Sequence, residues 1–337
     1  MSRLRRALRG ARIRAAVLIS LALGAIAALI VTADPAHVGK TFERFNLVFV
    51  PIIVVLSVGY YVLQGVRWWS LNRALGIRFP LADTIFITES GQATALLPLG
   101  ELTRALLLSR AAGVGFGAAV ATETVQELLF VFMLFVVALP KAVGLHFIAV
   151  AVVVPILLIV AIVVVLTVER LYLGVRAVVG RIPGLRRIRS VVDELHEDTR
   201  ILFRHRDTYL WLPVSVAQAL MAGSLLWFVA EAVAPGKLSW TGAGFVYAVT
   251  QGASWLTLAP GGLGAVEAST AGLLVALGFT YDVATAVALL QRLADKGLNT
   301  VIGGAFFAVA RRRYKVPGSS VFAIAADEIA AEPAPAV

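Results

Sequence analysis

The chain has 337 residues, 59% apolar and 15% charged, with a net charge of +10 and no cysteine. Soluble globular domains are about 45–50% apolar, so this composition excludes an ordinary soluble protein, and the lack of cysteine excludes disulfides, iron–sulfur clusters and thiol catalysis. The basic residues sit in blocks beside apolar runs, at MSRLRRALRGARIR (1–14), in the 170–206 loop and at RRRYK (311–315), a pattern of membrane topology and contact with anionic lipid rather than of nucleic-acid binding.

The first apolar run, 15–31, is longer than the ~7–15 residues of a signal-peptide core and precedes a multispanning body, so it reads as a retained first helix. A second span is expected at 47–63. If the 1–14 block is cytoplasmic, this span returns to the same side and places Arg67, Arg73 and Arg78 inside, with Trp68 and Trp69 at an interface. Further spans are expected at 117–139, 147–168, 209–231 and 283–309, each near the ~20 residues that cross a hydrocarbon core. In the basic 170–208 loop, Val191, Val192, Leu195, Leu202 and Phe203 recur at helical spacing among charges, the pattern of a helix lying on the membrane surface. The four histidines (37, 146, 196 and 205) lack ligand spacing and read as solvated. The tail, 311–337, is rich in Ala and Pro without an amphipathic period and reads as disordered and cytoplasmic.

Two segments are neither spans nor loops. ESGQATALLPLGE, within 81–111, and TQGASWLTLAPGGLGAVE, within 240–277, each run from a polar residue and Gly to a Pro, then Gly and Glu. Each continues into a helix of small residues, another Gly (Gly113, Gly278) and a full span. Reading both as re-entrant hairpins closes the topology count. It makes Pro98, Gly100, Pro260, Gly262 and Gly264 the hairpin-forming residues, and the two halves inverted repeats. Broken helices paired in this way build midplane sites in many transporters.

Ionisable residues in inserting helices cost about 2.5–3.5 kcal/mol each, so they should face the bundle interior and have partners. Glu101 and Arg104 share a helix face, as do Glu123 and Glu127, and Arg292 and Asp295. Glu101 and Glu267 read either as caps of the helices that follow the breaks or as parts of one polar site. Arg104 and Arg292 either neutralise those carboxylates or bind phosphate, for which a planar guanidinium is suited. Arg67 lies at the edge, beside the Trp pair, where an anchoring role competes with an entrance site. Glu123, Glu127 and Asp295 are candidate coupling residues, because adjacent like charges require that one be paired or protonated. No HExxH, nucleophile elbow or Walker loop occurs, so neither an enzyme nor a cofactor is expected.

Arg67-Trp68, Leu96-Leu97-Pro98 with Gly100-Glu101 and Arg104, Pro260-Gly262-Gly264 with Glu267, and Arg292 stand in an order and spacing that resembles the flippase-like, lysylphosphatidylglycerol-synthase transmembrane family over about 15–310. That family often carries Glu-Arg and then an acid in the third full span, where this chain has Glu123, Thr124 and Glu127. The resemblance implies a membrane unit that moves lipid across the bilayer. Fusion members add a soluble aminoacyltransferase, for which this chain is expected to have no room.

The expectation is therefore an all-α integral membrane protein with six spans and two re-entrant hairpins in an inverted repeat. It would sit in the plasma membrane with both termini cytoplasmic and translocate a phosphate-containing lipid headgroup. The substrate-binding set would be Arg67, Glu101, Arg104, Glu267 and Arg292, membrane lipids the partners and nucleic acid none. The alternatives are a small-solute or ion transporter and a non-catalytic scaffold.

Overall fold

The structure, a computed structural model, describes residues 35–96, 100, 102–143, 149–181, 189–256 and 262–314. The expected span at 15–31, the 1–14 block, the tail beyond 314, and Pro98, Glu101 and Pro260 lie outside these residues. Every described element is helical: α1 (Pro35–Glu43), α2 (Val50–Ala74), α3 (Leu81–Gln92), α4 (Leu102–Ala112), α5 (Phe116–Val143), α6 (Ala149–Thr167), α7 (Glu169–Arg181), α8 (Arg189–Arg204), α9 (Arg206–Leu210), α10 (Leu212–Val233), α11 (Trp240–Leu256), α12 (Ala265–Ala276), α13 (Tyr281–Arg292) and α14 (Leu298–Arg313).

Among the described residues, three helical stretches are long and apolar enough to cross a membrane, Leu47–Ala74, Phe116–Ala142 and Arg206–Val233. A fourth is reached if α6 is counted with α7, onto which the chain bends by 85°. Their outer faces carry exposed apolar side chains, among them Val55, Val154, Leu157 and Val160, as lipid contact requires. The expected span at 283–309 is different. Helix α13 passes through a π-helical turn, Leu293–Gly297, into α14, and Arg292, Asp295 and Lys296 fall at that turn. Single π turns inside helices often mark functional positions, because they aim side chains that a regular helix would not.

The segments expected as hairpins fold as two packed helix pairs, α3 with α4 and α11 with α12. Their packing repeats. Helix α2 packs on α3 as α10 packs on α11, and α2 and α10 pack on each other. The first arm of each hairpin then rests on the helix that follows the other hairpin, α3 on α14 and α11 on α5. Glycines set the closeness of these seams. A Cβ at Gly65 of α2 would meet the Ile85 Cα at 2.9 Å, and one at Gly223 of α10 would meet the Gly244 Cα at 3.0 Å. Ile85 and Gly244 are each the fifth residue of their arm. Membrane helices lack a hydrophobic drive to associate, so backbone approach through small residues supplies much of their contact.

The second arms end alike as well. Gly113 and Gly278 have φ of +66° and +95°, a region that glycine enters without steric cost. The Val114 amide donates to Ser109 O at 3.2 Å and the Phe279 amide to Leu274 O at 3.1 Å, the six-to-one bond of a Schellman ending in both places.

Three expectations change. Trp68 is fully buried rather than interfacial, its indole N–H donating to Thr122 Oγ1 of α5 at 2.9 Å. His196 is buried rather than solvated: its ring stacks on Tyr172 and its Nδ1 lies 2.7 Å from Leu166 O. The amphipathic helix of the basic loop exists as α8, but its apolar face, with Val191 and Leu202 buried, packs on α5.

Candidate functional site

The first turn is closed by side-chain hydroxyls. Thr94 Oγ1 donates to the buried Gly100 carbonyl at 2.9 Å and lies 2.6 Å from Thr103 Oγ1. In the second turn Gly262 and Gly264 have φ of +66° and +81°. A Cβ at Gly262 would run into Ser254 and Val266, so that break tolerates no side chain on two counts.

Each turn delivers one charged residue to the interior as the third residue of the next helix, Arg104 in α4 and Glu267 in α12. Arg104 is 4% exposed, and its stem runs across Gly91 of the opposing arm, where any side chain would displace it. Its Nε and Nη2 donate to Glu123 Oε1 at 3.0 and 2.7 Å, and Nη2 also reaches Glu127 Oε1 at 3.2 Å. Glu127 Oε1 accepts in addition from Gln64 Nε2 at 2.9 Å. One guanidinium thus holds two carboxylates of α5, and the guanidinium faces the Trp68 ring at 5.9 Å. The partner expected on Arg104's own helix face, Glu101, lies outside the described residues; the described partners come from α5.

Glu267 is fully buried. Its Oε2 accepts from the Gly264 amide at 2.7 Å, the return bond of a capping box, and its Oε1 lies 3.1 Å from Arg292 Nε. That N–H is not aimed along the line to Oε1, so the contact is an ion pair without a full hydrogen bond. The capping and site readings of Glu267 therefore both hold geometrically, one oxygen to each.

Asp295, in the π turn, accepts from Tyr61 at 2.9 Å through Oδ1 and from Tyr247 at 3.4 Å through Oδ2. Below it Ser57 Oγ donates to Ala294 O at 2.5 Å, and the Asn299 amide donates to Ser57 Oγ and Asp295 O, both at 2.6 Å. These side chains satisfy backbone that the widened turn leaves unbonded. Lys296 lies over the Tyr61 ring at 5.5 Å.

Two tyrosines join the clusters. The Tyr60 hydroxyl lies within electrostatic reach of Glu127, Arg104 and Asp295, and Tyr247 within reach of Asp295, Arg292 and Tyr60. Glu123, Arg104 and Glu127, Asp295 with its tyrosines, and Arg292 with Glu267 thus form a file of ionisable groups within the bundle, buried except for the partly exposed Glu127 and Arg292. Both helix pairs contribute to it, through Arg104 of α4 and Glu267 of α12. Arg67 is apart from it. Fully buried, it donates to Thr208 O at 2.7 Å and Ser70 Oγ at 3.2 Å, bracing α2 against the start of the third crossing stretch. It is neither at an entrance nor at a surface.

Sequence reasoning named the charged members and missed the tyrosines. The adjacent Tyr60-Tyr61 in an otherwise apolar span was the available signal, since a buried phenol needs a partner. A second signal was also present. Gln126-Glu127-Leu128 and Gln291-Arg292-Leu293 stand at one distance past Gly113 and Gly278, and both glutamines are buried.

The family model described as the lysylphosphatidylglycerol synthase TM region matches residues 15–303. No curated protein matches the chain.

Proposed function

The chain belongs to the lysylphosphatidylglycerol synthase transmembrane-region family, a membrane protein by family and by its apolar helices, and on that premise we propose that it carries a phosphate-containing lipid headgroup between leaflets. The observation that carries this reading is the buried charged file shared by two interrupted helix pairs. Burying so many ionisable groups in an apolar bundle is costly, and such groups mark transport pathways more often than scaffolds. The hairpins enter from opposite faces as an inverted repeat, alongside six spans, with both termini cytoplasmic at the plasma membrane. The repeated packing supports this arrangement: an element that rests on its counterpart's successor can rock against it.

In this reading the headgroup passes between the helix pairs while its acyl chains stay in lipid. Arg292, 11% exposed in its side chain, offers its guanidinium to the phosphate. Arg104, held by two carboxylates, organises the opposite wall. The role is transport without chemistry on the lipid, and the partners are membrane lipids.

The test is headgroup-labelled phosphatidylglycerol in vesicles containing the purified protein. Arg104→Ala and Glu267→Gln proteins that fold and insert should lose flipping by at least tenfold. Undiminished flipping by both overturns the site; a folding loss in both without a separate transport loss leaves a scaffold.

A further inference from the structure

One buried acid stands outside the file. Glu89, in the first arm α3, is 4% exposed, and neither of its carboxyl oxygens has a hydrogen-bond partner. Its direction follows from its neighbours one turn earlier. Phe86 packs on Phe306 and Tyr314 of α14, and Ile85 lies against Gly65 of α2, so Glu89, three and four residues on, points into the seam between α2 and α14.

The hydroxyls of its own arm are occupied. Thr84, Thr88 and Ser90 turn their hydroxyls back to their own helix, to Pro80 O at 3.0 Å, Thr84 O at 2.9 Å and Phe86 O at 2.7 Å. Charged groups on the elements packed against the arm are engaged elsewhere: Arg67 of α2 with Thr208 and Ser70, Arg104 of α4 with Glu123 and Glu127, Arg313 of α14 with Asp83, and Asp295 with its two tyrosines. Arg110, Arg311 and Arg312 are exposed. The tyrosines facing the seam, Tyr60 and Tyr61 of α2 and Tyr314 of α14, give Glu89 no bond.

A carboxylate buried with no donor and no cation is too costly to persist, and such a group takes up a proton instead. We propose that Glu89 is a proton-binding site, that its proton is held while α3 is seated on α14, and that the proton passes to water when the arm lifts. This rests on the lipid-transport reading for its use: one proton released per excursion of the hairpin would link headgroup movement to pH.

The seam itself supplies the second observation. A Cβ at Gly303 of α14 would meet Glu89 O at 2.5 Å and Ala93 N at 2.8 Å, backbone against backbone. The backbone of the arm at Glu89 is therefore seated directly on α14, with only Gln92 Cβ beside it, a contact that any lift of the arm breaks. Gln92 Oε1 and Asn299 Oδ1, buried nearby on the two sides of the seam, also lack partners. They offer acceptors to water that enters as the seam parts.

The experiment uses the full chain in phosphatidylglycerol nanodiscs and infrared difference spectra recorded between acid and alkaline buffer. The wild type should show the carbonyl stretch of a protonated, unbonded carboxyl at neutral pH, and Glu89→Gln should remove it. Gly303→Ala, which wedges the seam, should weaken that band at neutral pH while folded protein is retained. A band that survives Glu89→Gln unchanged, or no band in the wild type, overturns the proton site; if Gly303→Ala does not fold, the Glu89→Gln comparison still decides it. In vesicles with labelled phosphatidylglycerol, wild-type flipping should vary several-fold with pH and the Glu89→Gln profile should be flat. Matching pH profiles overturn the link to transport. If the wild type moves no lipid, the transport reading and the link fall together, and the infrared band separately decides whether Glu89 holds a proton.

Discussion

On α5, Glu123 and Glu127 close on the one guanidinium of Arg104; on α13, the one guanidinium of Arg292 faces Glu267. The acids are on the long helix in the first half and on the hairpin in the second, so repeated packing carries reversed charge. The two clusters also differ in how their charges are satisfied. The first depends on Arg104, on which both Glu123 and Glu127 close. The second is backed by backbone, since Glu267 keeps the Gly264 amide whatever happens to Arg292. One site is held by a cation and the other by a helix start, which predicts unequal tolerance of the same type of change.

Arg104→Ala should therefore be the most damaging substitution in either cluster. It removes the guanidinium shared by Glu123, which is buried, and Glu127, which is 26% exposed in its side chain, and removing one partner of a buried ion pair costs about 3–5 kcal/mol. Arg292→Ala leaves a single carboxylate with a capping bond and should cost about half as much. Thermal unfolding of the two proteins in one detergent orders them, and equal losses would break the comparison.

The glycine seams test whether the halves are alike where charge plays no part. Gly65→Ala and Gly223→Ala each force a methyl group onto backbone of an opposing arm, at 2.9 and 3.0 Å. Overpacking of this type costs typically about 1–3 kcal/mol, and the two should agree within about 1 kcal/mol. A large inequality would mean that the repeat is one of sequence but not of packing load. Within the first cluster, Glu123→Gln should cost more than Glu127→Gln. Glu123 takes two bonds from Arg104 and is 8% exposed in its side chain, whereas Glu127 takes one and is 26% exposed. The measurement is again unfolding, and a reversed order would place the excess charge on Glu123.

The sequence made the breaks between the paired helices legible because Pro and Gly in an apolar run have few other uses, and the charged residues because they are expensive there. It left their partners unread. Helix spacing pairs Arg104 with Glu101, which lies outside the described residues; the bonds of Arg104 to Glu123 and Glu127 join two elements, and such pairing leaves no periodic trace. Arg67 and Trp68 read as interfacial because they follow the apolar run expected as the span, although Ser57, Gln64 and Arg67 recur at helical spacing on the side of α2 that is buried; Thr122 and Thr208, which satisfy Trp68 and Arg67, come from distant segments. The expected span at 283–309 was interrupted for the same reason that it was interesting, since Arg292, Asp295 and Lys296 sit where the helix widens.

The smallest effect bears on the closest match. Gly113 and Gly278 both end a second arm with positive φ, and the six-to-one bonds around them, at 3.2 and 3.1 Å, are equivalent. At neither glycine does any atom lie within 4 Å of the place a Cβ would occupy, so an added methyl group meets open space and only the backbone conformation is penalised. Gly113→Ala and Gly278→Ala should each cost about 1 kcal/mol, the left-handed conformation being the whole of it. Unlike the arginine pair, these two should be indistinguishable by unfolding, because a left-handed ending asks the same of the chain whichever sign of charge follows fourteen residues later, at Glu127 and at Arg292. A clear difference would show that strain, like charge, is distributed unevenly between the halves, and that the turn leading into α5 is under a load that the turn leading into α13 does not bear.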